Sequence, residues 1–261
     1  MEIFVLLSIG ALAGTMAGLL GIGGGAIIVP VLAWVFERQG VSPAVLMHVA
    51  VGTSLATLIA TSLSSIRAHH KRRAIQWPVF RSITPGILAG GLLGSSIAGL
   101  LSGEDLRIVF GVVILFVAAQ MARGMTTKPH RTLPGKVGMI GAGTVIGTIS
   151  ALLGIGGGAM SVPFMTWCNI DARQAVATAA AIGLPIAVAG TLGFLIHGWG
   201  NPQLPAASLG YINLPAFAGV VAASVLFAPF GARIAHRIQP LTLKRIFAIF
   251  LVVMGLRMLL F

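Results

Sequence analysis

Long apolar stretches separated by short basic clusters set the pattern of this chain. Residues 3–36, 39–66, 82–103, 137–170 and 174–232 contain no Lys, Arg, Asp or Glu. A helix needs about 20 apolar residues to cross the hydrocarbon core of a bilayer. The 39–66 and 82–103 stretches each fit one crossing, the latter extended back toward Trp77. The stretch 174–232 fits two, divided by the breaker-rich Gly198-Trp199-Gly200-Asn201-Pro202-Gln203-Leu204-Pro205. Residues 106–123 and 241–260 supply two more, giving six ordinary crossings.

Two segments, 3–36 and 137–170, do not fit this scheme. As a single helix each would be about 51 Å long, well beyond a bilayer. Two full crossings and a turn would need about 40 residues or more. Both carry the same interruption, Gly21-Ile22-Gly23-Gly24-Gly25 and Gly154-Ile155-Gly156-Gly157-Gly158. Three consecutive glycines are poor in a helix interior, so each segment is expected to form two helical arms meeting at a bend inside the membrane.

The two segments align at an offset of 133, with 14 of 26 positions identical between 9–34 and 142–167. Weaker matches follow: Ala50-Val51-Gly52-Thr53 with Ala175-Val176-Ala177-Thr178, and Pro78, Gly94, Ile97 and Phe110 with Pro215, Gly231, Ile234 and Phe247. The pattern predicts an all-α integral membrane protein of two repeats. Repeat 1 spans 1–124, with a broken helix at 3–36 and helices at 43–66, 77–101 and 105–123. Repeat 2 spans 125–261, with a broken helix at 135–168 and helices at 173–197, 208–237 and 241–260.

Charge distribution bears on the orientation of the halves. If each broken segment returns to its starting side, the loops 66–76, 123–136, 171–173 and 233–245 share one face and carry four, four, one and four Lys or Arg residues. The opposite face then holds only Arg38, Arg107 and Arg257, with Arg81 inside a helix. The alternative, a single crossing for each broken segment, gives no comparable bias. Cytoplasmic loops are enriched in basic residues, so the re-entrant arrangement is expected: inverted halves, both termini extracytoplasmic, basic loops facing anionic lipid in the cytoplasm. The first residues, Met1-Glu2-Ile3-Phe4, lack the basic start of a signal peptide, and the first segment is expected to be retained.

Composition narrows the function. The hydrophobic set makes up 57% of the 261 residues and charged residues 8%, against about 25% charged in soluble domains. A soluble enzyme and a disordered tail are excluded, and the net charge of +12 is assigned to membrane topology rather than nucleic-acid binding. With Cys168 the one cysteine, neither an intrachain disulfide nor a cysteine-based metal site is available. No predicted crossing contains Asp or Glu, which argues against a carboxylate proton relay. The glycine blocks lack the Lys of a nucleotide loop. No cofactor, metal site or catalytic group is implied.

Inverted repeats with broken helices place a solute site at the repeat interface, and irregular backbone is tolerated in a membrane where it lines a polar cavity. The second arms begin at Ala26 and Ala159, so two helix N-termini are expected to point at the bends and favour a compact oxygenated anion. The candidate substrate residues are therefore Gly23, Gly24, Gly25 and Ala26 with Gly156, Gly157, Gly158 and Ala159. Thr53, Ser54 and Thr178 flank them, their hydroxyls either bonding back to a carbonyl of their own helix or donating to the anion. His48 and Arg173 hold equivalent repeat positions, as interfacial groups or as attractors of anions at two entrances.

Leu19-Leu20-Gly21-Ile22-Gly23-Gly24-Gly25 with Val29-Pro30, then His48-Val49-Ala50-Val51-Gly52-Thr53-Ser54, and the second Gly-Ile-Gly-Gly-Gly with Val162-Pro163, resemble the sulfite exporter TauE/SafE family of membrane permeases. The resemblance covers essentially the whole chain and implies transport of sulfite, thiosulfate or small organosulfonates. The second half departs at Thr178-Ala179-Ala180, which lacks the serine that follows Thr53. A carrier or channel for another small anion, such as a carboxylate, is the alternative, and an intramembrane hydrolase a remote one. The identity of the anion, its direction and coupling ion, formation of a homodimer, and rocking against elevator motion stay open in the sequence.

Overall fold

The computed structural model describes residues 2–20, 24–122, 132–234 and 240–260. Their elements in chain order are α1 (Glu2–Leu20), α2 (Gly25–Arg38), α3 (Pro43–Lys71), α4 (Trp77–Leu100), α5 (Gly103–Ala122), α6 (Lys136–Leu153), α7 (Gly158–Trp167), α8 (Ala172–His197), the short strands β1 (Ser208–Leu209) and β2 (Ile212–Asn213), α9 (Leu214–Ile234) and α10 (Pro240–Leu260). Proline near the first position starts α3 and α4, where a missing N–H costs nothing. Among the described residues, six helices are long and apolar enough to cross a membrane: α3, α4, α5, α6, α8 and most of α9. The set differs from the expected ordinary crossings, because it includes α6, a first arm, while the apolar run found within α10 is Ala248–Leu260.

Both long segments are broken. Gly24 precedes α2 at φ 72°, and Gly154 ends α6 at φ 67°, backbone conformations that favour glycine. Gly21, Ile22 and Gly23 lie outside the described residues, as do Arg123, Lys128, Arg131 and Arg237 of the basic loops. One expected boundary is corrected. The helix predicted over 208–237 begins at Leu214, because residues 208–213 form an antiparallel hairpin pairing Ser208 with Asn213 and Leu209 with Ile212. Ala207 at φ 57° and Gly210 at φ 54° are incompatible with a helix through this stretch.

The most buried of the six spans are α3 and α8, which form the centre. They run antiparallel, with Gly190 against Leu55, Gly183 against Ser62 and Gly52 against Phe194. Large apolar side chains on the outer helices, such as Leu100, Phe116, Val137, Leu226 and Ile249, are exposed on the periphery. A polar solvent would make such a surface unstable; lipid does not.

The first helix of each half packs on the other half. Gly10 and Gly14 of α1 lie against Val220 and Ser224 of α9, and Gly231 of α9 lies against Thr15. At the same relative positions, Gly143 and Gly147 of α6 lie against Ile83 and Ile87 of α4, and Gly94 lies against Thr148. Both pairs are parallel, because residue numbers rise together along each contact. Glycine removes the Cβ that would otherwise hold these backbones apart. Helices α4 and α8 are also parallel, through Gly91 on Ala189 and Gly99 on His197. So are α3 and α9, through Thr61 on Ser224 and Ser64 on Val225. By contrast α5 and α10 are antiparallel, with Gly111 against Leu259 and Gly255 against Leu115.

Candidate functional site

The two glycine bends meet in the interior. Gly25, at the start of α2, lies against the carbonyl of Gly154 and the Cα of Ile155, so a side chain at 25 has no room. Ser54, near the middle of α3, donates to the same Gly154 carbonyl at 2.9 Å. Residues 154–158 and Gly24, Gly25 and Ala26 are all buried. Proline at 30 and at 163 lies inside each second arm, removing one donor from each short helix.

The bends differ in hydrogen bonding. At the first, Ile27 and Ile28 both donate to the Gly24 carbonyl. At the second, Ile155 donates back to Ser150 and Ser161 donates to Gly157. The N–H groups between them, of Gly156, Gly157, Gly158, Ala159 and Met160, make no hydrogen bond with a described residue. Unpaired N–H groups at a buried helix N-terminus form an electropositive concavity with donors available to an anion. The bend thus has the chemistry to accept several oxygens of one small solute.

The flanking hydroxyls have specific partners. Thr53 Oγ1 accepts from the backbone N–H of Asn213 at 2.9 Å, and Thr178 Oγ1 accepts from that of Gln76 at 2.9 Å. Gln76 and Asn213 each stand just before a helix, α4 and α9, so the two bonds are counterparts across the halves. Neither bond is the return to an i−4 carbonyl that helical threonines often make. Thr53, Ser54 and Thr178 therefore sit in one core but on three different partners.

His48 and Arg173 differ sharply despite their matched positions. His48 is 3% exposed, with Nε2 at 2.9 Å from the Ala98 carbonyl and its ring stacked on Tyr211 at 4.9 Å between centroids. Arg173 is exposed in the first turn of α8, its backbone N–H held by Asp171. Gln76, Asn213, Tyr211, Ser62 and Ser161 are not among the residues expected from the sequence. For the first two a signal existed, since both stand two residues before the matched prolines Pro78 and Pro215.

Residues 6–258 match the family described as Sulfite exporter TauE/SafE. A probable membrane transporter protein of Haemophilus influenzae is 37% identical, over 98% of this chain and 97% of its own length. One from Methanocaldococcus jannaschii is 29% identical over 98% and 95%, and one from Bacillus subtilis 26% identical over 98% and 96%. No solved structure matches the chain. With six helices able to span a bilayer and a family match over nearly its whole length, this multi-pass membrane protein belongs to the sulfite exporter TauE/SafE family.

Proposed function

We propose that the protein is a secondary transporter of small oxygenated anions, binding sulfite, a related sulfur oxyanion or an organosulfonate between its two glycine bends and releasing it by alternating access. The observation that carries this is the run of unpaired N–H groups from Gly156 to Met160, its first three residues buried, set against the first bend through the contact of Gly25 with Gly154. A dehydrated anion needs such fixed donors in place of water, and a neutral or cationic solute does not.

Helix directions support alternating access. Relative to α3, helices α9 and α1 run with it while α8, α4 and α6 run against it. Hence α1 opposes α6, α3 opposes α8 and α4 opposes α9, the relation required of inverted repeats. The end of α2 lies beside the end of α10, where Glu37 and Arg257 approach at 3.5 Å. In this proposal both termini face outward and the basic loops face the cytoplasm.

The test is radiolabelled sulfite flux into proteoliposomes, comparing wild type with Gly157→Ala. Gly157 has φ −58°, so alanine is compatible with its backbone, and the added methyl would press on Ile182 and Ile186 at 3.0 and 3.1 Å, in the space beside the free N–H groups. Saturable flux that falls about tenfold or more supports the site. Unchanged flux through a folded variant overturns it. Sulfate, thiosulfate and acetate serve as competitors, and preferential inhibition by acetate would move the substrate to a carboxylate.

A further inference from the structure

We propose that Ser62 of α3 is a ligand for a substrate oxygen, forming with the Gly157 N–H an oxyanion subsite across the bare surface of Gly183; this rests on the bends being the anion site. Ser62 is 4% exposed; its hydroxyl makes no hydrogen bond with a described residue, and its oxygen is not among the fully enclosed ones. Most other hydroxyls of α3 are engaged: Ser54 donates to Gly154, Thr57 to the Ser54 carbonyl, and Thr61 to the Thr57 carbonyl, while Ser65 Oγ, also buried, has no partner among the described residues. A buried serine in a helix ordinarily returns its proton to the preceding turn, and one that does not keeps a donor available to a ligand.

Helix α8 leaves open the space beside that donor. A Cβ placed on Gly183 would stand 3.1 Å from Ser62 Oγ and 3.9 Å from Gly157 N. Hydroxyl and N–H therefore border one small space that glycine leaves open. Ser161, in the first turn of α7, is fully buried and also has an unpartnered Oγ.

The arrangement is one-sided. By the alignment that pairs Thr53 with Thr178, Ser62 corresponds to Ala187, and by the one that pairs the bends, Ser161 corresponds to Ile28. Neither counterpart carries a donor, so the pseudo-symmetric chain holds one such subsite rather than two.

The experiment is anaerobic calorimetric titration of sulfite into the full-length chain in detergent, with the unliganded melting temperature measured alongside. Ser62→Ala is expected to weaken binding about tenfold or more while leaving that melting temperature unchanged. Gly183→Ala fills the same space and should weaken binding similarly, and the double variant should fall well short of the product of the two effects. Ser64→Ala, which removes a bond to the Val225 carbonyl on α9, should leave sulfite affinity at the wild-type value. Wild-type affinity in Ser62→Ala, with binding lost in Gly157→Ala, overturns the role of Ser62 and leaves the bend site standing. A loss in Ser62→Ala that tracks a lower unliganded melting temperature also overturns it. Wild type that binds neither sulfite, thiosulfate nor acetate overturns both.

Discussion

Thr53 and Thr178 show how a side chain suited to ligand binding is enlisted to join the halves. Each accepts an N–H from a residue far away in sequence, 160 positions for Asn213 and 102 for Gln76. Replacing either by valine keeps the shape and strands the donor. A buried N–H left unpaired costs about 1–3 kcal/mol, so Thr53→Val and Thr178→Val should each lower the unfolding temperature in detergent. Thr53→Val should have the larger effect, because its bond is fully buried while that of Thr178 is partly so. Sequence spacing pointed to these threonines as special but could not supply their partners, since nothing local marks an N–H that arrives from another loop. Ser62 was invisible for a related reason: one serine among several on a buried helix reads as self-satisfied until the positions of Gly157 and Gly183 are known.

At the scale of helices, glycines divide by what they face. Gly86, Gly90 and Gly94 lie one turn apart along α4 and touch the backbone of α6 at Ile140, Thr144 and Thr148. Gly141, on α6, has nothing within 4 Å of where a Cβ would stand. Gly90→Val should therefore destabilise the protein by about 1–3 kcal/mol or more. Gly141→Ala should stabilise it by about 0.5–1 kcal/mol by lowering the entropy lost on folding. Thermal unfolding of the two variants in one detergent checks both signs. The broken helices were legible because three consecutive glycines within 34 apolar residues leave few other conformations. The hairpin at 208–213 was not. Tyr211 and Ile212 continue the apolar run into α9, and only the positive φ at Ala207 and Gly210 reveals the turn.

For the whole molecule, the parallel and antiparallel contacts sort the loops into two sets. Residues 39–42, 101–102 and 198–213 fall at one end, and 72–76 and 168–171 at the other. In a chain with Cys168→Ala, single cysteines at Gln39 and Asn201 should react with an impermeant maleimide from one side of the membrane and one at Arg73 from the opposite side. Reaction of Gln39→Cys and Arg73→Cys from the same side would refute this topology. The 13-to-3 distribution of basic residues predicts the same division. What charge could not convey was that each half would give its first helix to the other.

That exchange has a consequence for how the protein is made. During synthesis α1 enters the membrane well before α9, yet the face formed by Gly10 and Gly14 has its partner in α9, beginning at Leu214. Until some 200 residues have followed, that glycine seam has only lipid, or some attendant factor, to lie against. Helix α6, in contrast, finds α4 already in place and can dock at once. Such distant pairings delay folding because loop closure must precede the contact that rewards it. The membrane must therefore hold a half-built protein in which α1, though made well before α9, is among the last helices to be seated.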